Sequence, residues 1–257
     1  MDAGRRAALA ALLAAGLVPG RSALAAPGGP VREGAGPVAA GPRPPASLLG
    51  QEIRRLPTSR RVVALTFNAA WDESGLAAVL AELRRRRLAA TFFPTGRFAE
   101  AHPAAVRAMG AVHGLGNHSY SHPYFDDLGT AERAREVRAA DAAIRAASGA
   151  EPLPFFRFPY SSTTQDAVED VNGLGYAAIE FTDDTNGYLG PAGGMTVDGA
   201  VRRAVNAFGP GAILQMHVGS GAGDGVVLDA EALPRIIDAA LEEEYEIVDL
   251  RAFLTAG

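Results

Sequence analysis

Cysteine and lysine are absent from all 257 residues, and the chain has one tryptophan and five histidines. The first absence excludes disulfides, thiolate nucleophiles, cysteine-ligated metals and a lipidated cysteine behind a leader. A composition that is 48% hydrophobic supplies a core large enough to stabilise a domain without such links. The second absence leaves arginine as the only lasting cation among the side chains. All 24 basic residues are Arg, they are scattered, and no basic stripe suited to nucleic acid emerges. Beyond the N-terminus no apolar run is long enough to cross a membrane. No repeat of fixed period is present.

What is there begins with a leader-like segment. Arg5-Arg6, then "AALAALLAAGLVPG" and an A-x-A site at Ala23-Leu24-Ala25, read as a signal peptide over residues 1–26. The paired arginines also admit a twin-arginine route. Cleavage takes away three arginines and one aspartate and moves the formal charge from −5 to −7. The sequence therefore predicts an exported, acidic protein, extracellular or associated with the cell wall. Residues 27–58, rich in Pro, Gly and Ala, read as a linker. Residues 59–257 read as a single domain.

From about Arg60 onwards, strand-like and helix-like segments alternate. Strands are expected at 62–67, 89–94, 112–117, 154–160, 176–181, 211–217 and 245–250. Helices are expected at 76–87, after His102-Pro103, and at 130–147, 164–174, 197–207 and 230–243. Thr130 reads as the N-cap of its helix, with Arg133 where a capping box places Glu. This is an α/β pattern with a mainly parallel sheet and enough units to close a barrel.

Polar residues recur just past the strand ends: Asn68 and Asp72, His118 and His122, Arg157 and Tyr160, Asp183 and Asp184, and His217. In a barrel those ends converge on one face. His118 and His122 stand one turn apart, so a helical segment brings both imidazoles to one metal ion; two surface or capping histidines fit the spacing equally. His217 suits a general acid tuned by a carboxylate such as Asp184, or a structural strand-end histidine. Pro159 shapes the turn that offers the Tyr160 N–H as an oxyanion donor. His102 reads as a capping residue and His113 as structural.

Taken in order, "LTFNAAW", "GNHSYSH", "RFPY", "FTDDTNGY" and "ILQMH" resemble the NodB-homology polysaccharide deacetylases, carbohydrate esterase family four. The likeness spans roughly residues 60–250, essentially one whole domain. It implies a distorted (β/α)7 barrel and hydrolysis of N-acetyl or O-acetyl groups on peptidoglycan or chitin-like polymers of N-acetylglucosamine. It also implies a divalent metal, Zn2+ with Co2+ or Ni2+ as alternatives. By position, His118 and His122 match the metal ligands and His217 the acid that protonates the leaving amine. Asp184, with Asp183 as the other register, matches the aspartate that orients that histidine. Arg157 matches the partner of the catalytic base, and Tyr160 gives the oxyanion N–H. Trp71 and Tyr188 are candidates to stack on sugar faces, or to be core.

The departure is at "NAAWDE". Where the family has Thr-Phe-Asp-Asp-Gly, with a base and then a metal ligand, this chain has Asn68 and Ala69. A carboxamide does not accept a proton at useful pH. Asp72 and Glu73 are the nearby acids; Asp72 can fold back as base or third metal ligand, or cap the following helix. Two functions follow: an active deacetylase with a rebuilt base, or a catalytically impaired glycan- or metal-binding module on the same barrel.

Overall fold

The computed structural model describes residues 42–254. The expected signal peptide and residues 27–41 of the expected linker lie outside them. The described part of that linker belongs to the domain. A short 3-10 turn at Ala46–Leu48 leads to β1, Glu52–Ile53, which pairs in parallel with β6, Ala177–Ile179. Leu48, Ile53 and Leu56 are buried. Residues 46–56 are therefore packed on the domain, because three apolar side chains spaced along a Pro-rich stretch find a surface to cover.

The remaining strands are β2 (Val62–Ala69), β3 (Thr91–Pro94), β4 (Gly114–Leu115), β5 (Phe155–Phe156), β7 (Asp183–Asp184), β8 (Ala212–His217) and β9 (Glu246–Val248). All ladder pairings are parallel. One sheet runs β4-β3-β2-β8-β7 with β9 on the lower half of β2, and a second runs β1-β6-β5. Asn117 bridges Phe156, and Arg55 bridges Ala212, so the sheets curl into one another. This is the distorted (β/α)7 barrel of the deacetylase type, with β1 and β7 as additional strands.

Helices α1 (Leu76–Arg86), α2 (Gly96–Ala101), α3 (Pro103–Gly110), α4 (Thr130–Ser148), α5 (Gln165–Gly173), α6 (Val197–Asn206) and α7 (Leu228–Glu242) cover the sheet. α2 has no counterpart among the expected helices; Thr95 caps it by accepting from the Phe98 N–H. The cap of α4 lies one residue earlier than expected. Gly129 is the N-cap, which makes Glu132 the third helical residue, and its carboxylate accepts from the Gly129 N–H at 3.0 Å.

Strand periodicity sorts the core. Val63, Leu65 and Phe67 of β2, with Leu214 and Met216 of β8, face the helices. Val62, Ala64 and Ile213 face the barrel interior with Ile53, Phe93, Phe155 and Ile179. The same alternation puts Thr66 and Asn68, and Gln215 and His217, on the interior face. Asn68 and His217 are register partners at its C-terminal mouth.

Candidate functional site

Asn68, 5% exposed, is delivered to the mouth by the one strand buried along all eight residues. Its Oδ1 accepts from Arg157 Nη1 at 3.1 Å and its Nδ2 donates to Gln215 Oε1 at 3.1 Å. Arg157 is fully buried and lies 4.2 Å over the Phe93 ring. It also donates to the Ile179 and Glu180 carbonyls. Burial pulls its guanidinium down to about 10, against the pull of Glu180 and Asp184.

His118 follows β4. Its Nδ1 donates to the Arg157 carbonyl at 2.8 Å, which leaves Nε2 as the free lone pair. That atom lies 3.2 Å from His122 Nε2. The expected helical turn is absent: the segment is a loop in which Ser119 (φ 65°) and His122 (φ 62°) are left-handed. Glu136 of α4 fastens it, accepting from Tyr120 N, Ser121 N and Ser121 Oγ. Tyr160 (φ 59°) and Ser161 (φ 50°) face it in the same strained region. Such conformations cost about 1–3 kcal/mol each and persist where surrounding structure imposes them. Burial holds His118 well below the usual imidazole range and His122 at about 4, the nearby His217 adding to the second shift. Two neutral imidazoles presenting nitrogen to one point fit two sides of a divalent cation's shell. Among the described residues no group of three or more His, Cys, Asp or Glu is placed to complete it.

The structure does not bring Asp72 to that pair. Its Oδ1 accepts from Ser74 N at 2.9 Å and its Oδ2 from Ser220 N at 3.0 Å, so both oxygens clasp loops. Glu73 faces His102, 3.5 Å away, and His102 occupies the N-cap position of α3 without a side-chain cap bond. His113 is buried, and its Nδ1 accepts from Ala90 N at 3.4 Å.

His217 is 5% exposed, and its Nδ1 is the one buried side-chain nitrogen or oxygen among the described residues without a partner. Asp184 Oδ1 stands 3.9 Å from it and Asp229 Oδ2 3.8 Å. Asp183 instead pairs with Arg203. Burial raises the Asp184 carboxyl, against the pull of His217. Asp229 escapes a sequence reading because an acid in the first turn of a helix is ordinary. Here it is fully buried, bonded to Thr185 Oγ1 and to the His217 N–H. Gly187 makes room for it, since a Cβ there would lie 2.2 Å from Asp229 Oδ1.

Aromatic rings line the mouth. Trp71, 43% exposed, stacks on His217 at 5.9 Å and touches Tyr188 at 5.6 Å and His122 at 6.1 Å. Tyr160 meets His122 edge-on at 4.5 Å and stacks on Tyr124 at 4.1 Å. Tyr124, 40% exposed, carried no motif in the sequence.

A parallel α/β barrel that gathers paired imidazoles, a buried arginine and a carboxylate-flanked histidine at its strand ends has the layout of a hydrolase. A family model described as polysaccharide deacetylase matches residues 55–179. A chitooligosaccharide deacetylase from Bradyrhizobium is 33% identical over 160 residues, 62% of this chain and 71% of that one. A peptidoglycan-N-acetylglucosamine deacetylase from Bacillus cereus is 26% identical over 182 residues, 70% of this chain and 64% of that one. The chain belongs to the polysaccharide deacetylase family. Among solved structures, a CE4 family pseudoenzyme from Bacillus anthracis superposes with TM-score 0.71 at 26% identity, over 80% of this chain and 69% of that one. A mutant of that pseudoenzyme, described as having restored enzymatic activity, superposes equally well, with TM-score 0.71 at 26% identity over 80% of this chain and 71% of its own.

Proposed function

We propose that the protein binds an N-acetylated glycan across this mouth, as a peptidoglycan or N-acetylglucosamine polymer, and deacetylates it far more slowly than a relative with a carboxylate base. The observation that carries this is Asn68, a carboxamide bonded at both ends in the place of the base, with Asp72 held elsewhere. Trp71, Tyr188 and Tyr160 offer faces for sugar rings beside the imidazole pair. His118 and His122 would hold a divalent cation, Zn2+ with Co2+ or Ni2+ as substitutes, through Nε2. Such a cation, when bound, polarises an acyl oxygen. The Tyr160 N–H is the expected donor to the same oxygen. His217, flanked by Asp184 and Asp229, is the group to protonate a leaving amine. Export by residues 1–26 would bring the domain to wall or extracellular glycan.

His217 with its two carboxylates favours a second reading, a deacetylase of full activity. One pair of measurements separates the two. Trp71 is the single tryptophan, so its fluorescence reports binding of N-acetylglucosamine oligomers directly. Acetate release by the zinc-loaded protein is followed in parallel. We expect saturable binding with turnover about 10²–10⁴-fold below that of a base-bearing relative. Turnover equal to such a relative establishes the second reading, and failure to bind any oligomer defeats both.

A further inference from the structure

Arg157, Asn68, Gln215 and Asp184 form one chain of hydrogen bonds, and none of the four is more than 9% exposed. Arg157 Nη1 donates to Asn68 Oδ1 at 3.1 Å, Asn68 Nδ2 to Gln215 Oε1 at 3.1 Å, and Gln215 Nε2 to Asp184 Oδ2 at 2.8 Å. The ends fix the sense of the chain. A guanidinium only donates and an ionised carboxylate only accepts, so each amide between them has one permitted orientation. Asp184 Oδ1 is tied separately, accepting from Asn186 N at 2.8 Å.

We propose that Gln215 is a positioning residue that matches position 68 to an amide, so that Asn68 is a working part of a relay from Arg157 to Asp184 rather than a base with one atom exchanged. This rests on the buried hydrogen bonds alone and not on the function proposed above. A carboxylate at 68 still accepts from Arg157, but its second oxygen then faces Gln215 Oε1, acceptor against acceptor. Turning the Gln215 amide relieves that contact and presents Oε1 to Asp184 Oδ2 instead. The conflict moves along the relay without disappearing. It is removed by deleting the middle, Gln215→Met, or by exchanging the ends, Asn68→Asp with Asp184→Asn. In the exchange a turned Gln215 donates to the new carboxylate and accepts from the new amide, while the carbonyl at 184 still accepts from Asn186 N.

The test is urea unfolding of the full-length protein at pH 8, in a double-mutant cycle. In the native background Gln215→Met leaves Asn68 Nδ2 and Asp184 Oδ2 unpaired, and the folding equilibrium constant falls by about ten- to a hundredfold. In the Asn68→Asp background the same change removes a repulsion, so the constant is unchanged or rises. Equal losses in both backgrounds overturn the proposal. If Gln215→Met folds in neither background, the end exchange decides. The Asn68→Asp, Asp184→Asn protein recovers stability lost by Asp184→Asn alone if the relay exists, and no recovery overturns it. Glycan binding read from Trp71 fluorescence is a separate result that neither outcome prejudges.

Discussion

Glu180 has no exposed surface, yet among the described residues its carboxyl meets no cation directly. Its oxygens accept from Phe158 N at 3.0 Å and Ser161 Oγ at 2.7 Å, which pins the turn carrying Tyr160. Burial pushes the carboxyl up to about 7, while Arg157 and these bonds pull it back. A folded value above the ordinary 4.5 means the folded state binds more protons between those two limits. Stability from this group is therefore complete below about pH 4.5 and is lost as pH rises to about 7, by roughly 3 kcal/mol in all. Glu180→Gln keeps both contacts, since the amide oxygen accepts from Phe158 N and the Ser161 hydroxyl can rotate to accept. We expect thermal melts of this variant to lose that slope and to exceed the native protein's melting temperature at pH 8. Parallel melting of the two proteins from pH 4.5 to 8 would sink the idea.

Between elements, the site depends on how loops are fastened to strand ends. Asp72 joins the β2 exit loop to the β8 exit loop through Ser220 N. Asp72→Ala frees two backbone donors and should cost about 1–3 kcal/mol by chemical denaturation. Zinc affinity of the His118–His122 pair should change by less than about threefold, an effect below about 0.7 kcal/mol. A large loss of affinity would restore Asp72 as a ligand. Gly116, at the β4 exit, keeps space open instead, since a Cβ there would lie 2.4 Å from the Phe93 ring, on which Arg157 rests. Gly116→Ala should cost about 1–3 kcal/mol through that displacement, read from the urea midpoint. Legibility in the sequence followed the same division. β2 and β8 were readable because apolar runs ended in polar residues, and Asn68 and His217 came with them, whereas His118, His122 and Arg157 were carried by the motifs that follow β4 and β5. Asp72 stayed open between base, metal ligand and helix cap because distance along the chain says nothing of which amides a carboxylate will meet. Glu136, Glu180 and Asp229 were hidden because acids on helices and strand ends are common, and only packing shows what each one bonds. Gln215 did leave a signal, a lone amide in the apolar run "AILQMH", which a buried strand tolerates only when both ends of the amide are bonded.

At the scale of the molecule, the barrel is closed partly by a segment that composition assigns to a linker. β1 lies on β6 with Ile53 opposite Ile179, and the Ile53 carbonyl accepts from Glu180 N at 2.9 Å. Thr182 Oγ1 donates to the Arg54 carbonyl at 2.7 Å, and Leu56 N donates to the Gly211 carbonyl at 2.8 Å. This short stretch thus holds the strand that leads into Glu180 and the start of the strand that ends in His217. Burying Leu48, Ile53 and Leu56 contributes about 1.5–3 kcal/mol each as an upper estimate. Against a net stability of about 5–15 kcal/mol, the loss of all three is decisive. A chain beginning at residue 59, where composition places the domain start, should therefore aggregate or melt far below one beginning at residue 42. The comparison is made by thermal denaturation of the two. Coincident melting would mean that the Pro-rich stretch is a passive linker after all, whereas the expected separation makes it the piece that completes the barrel beneath the site.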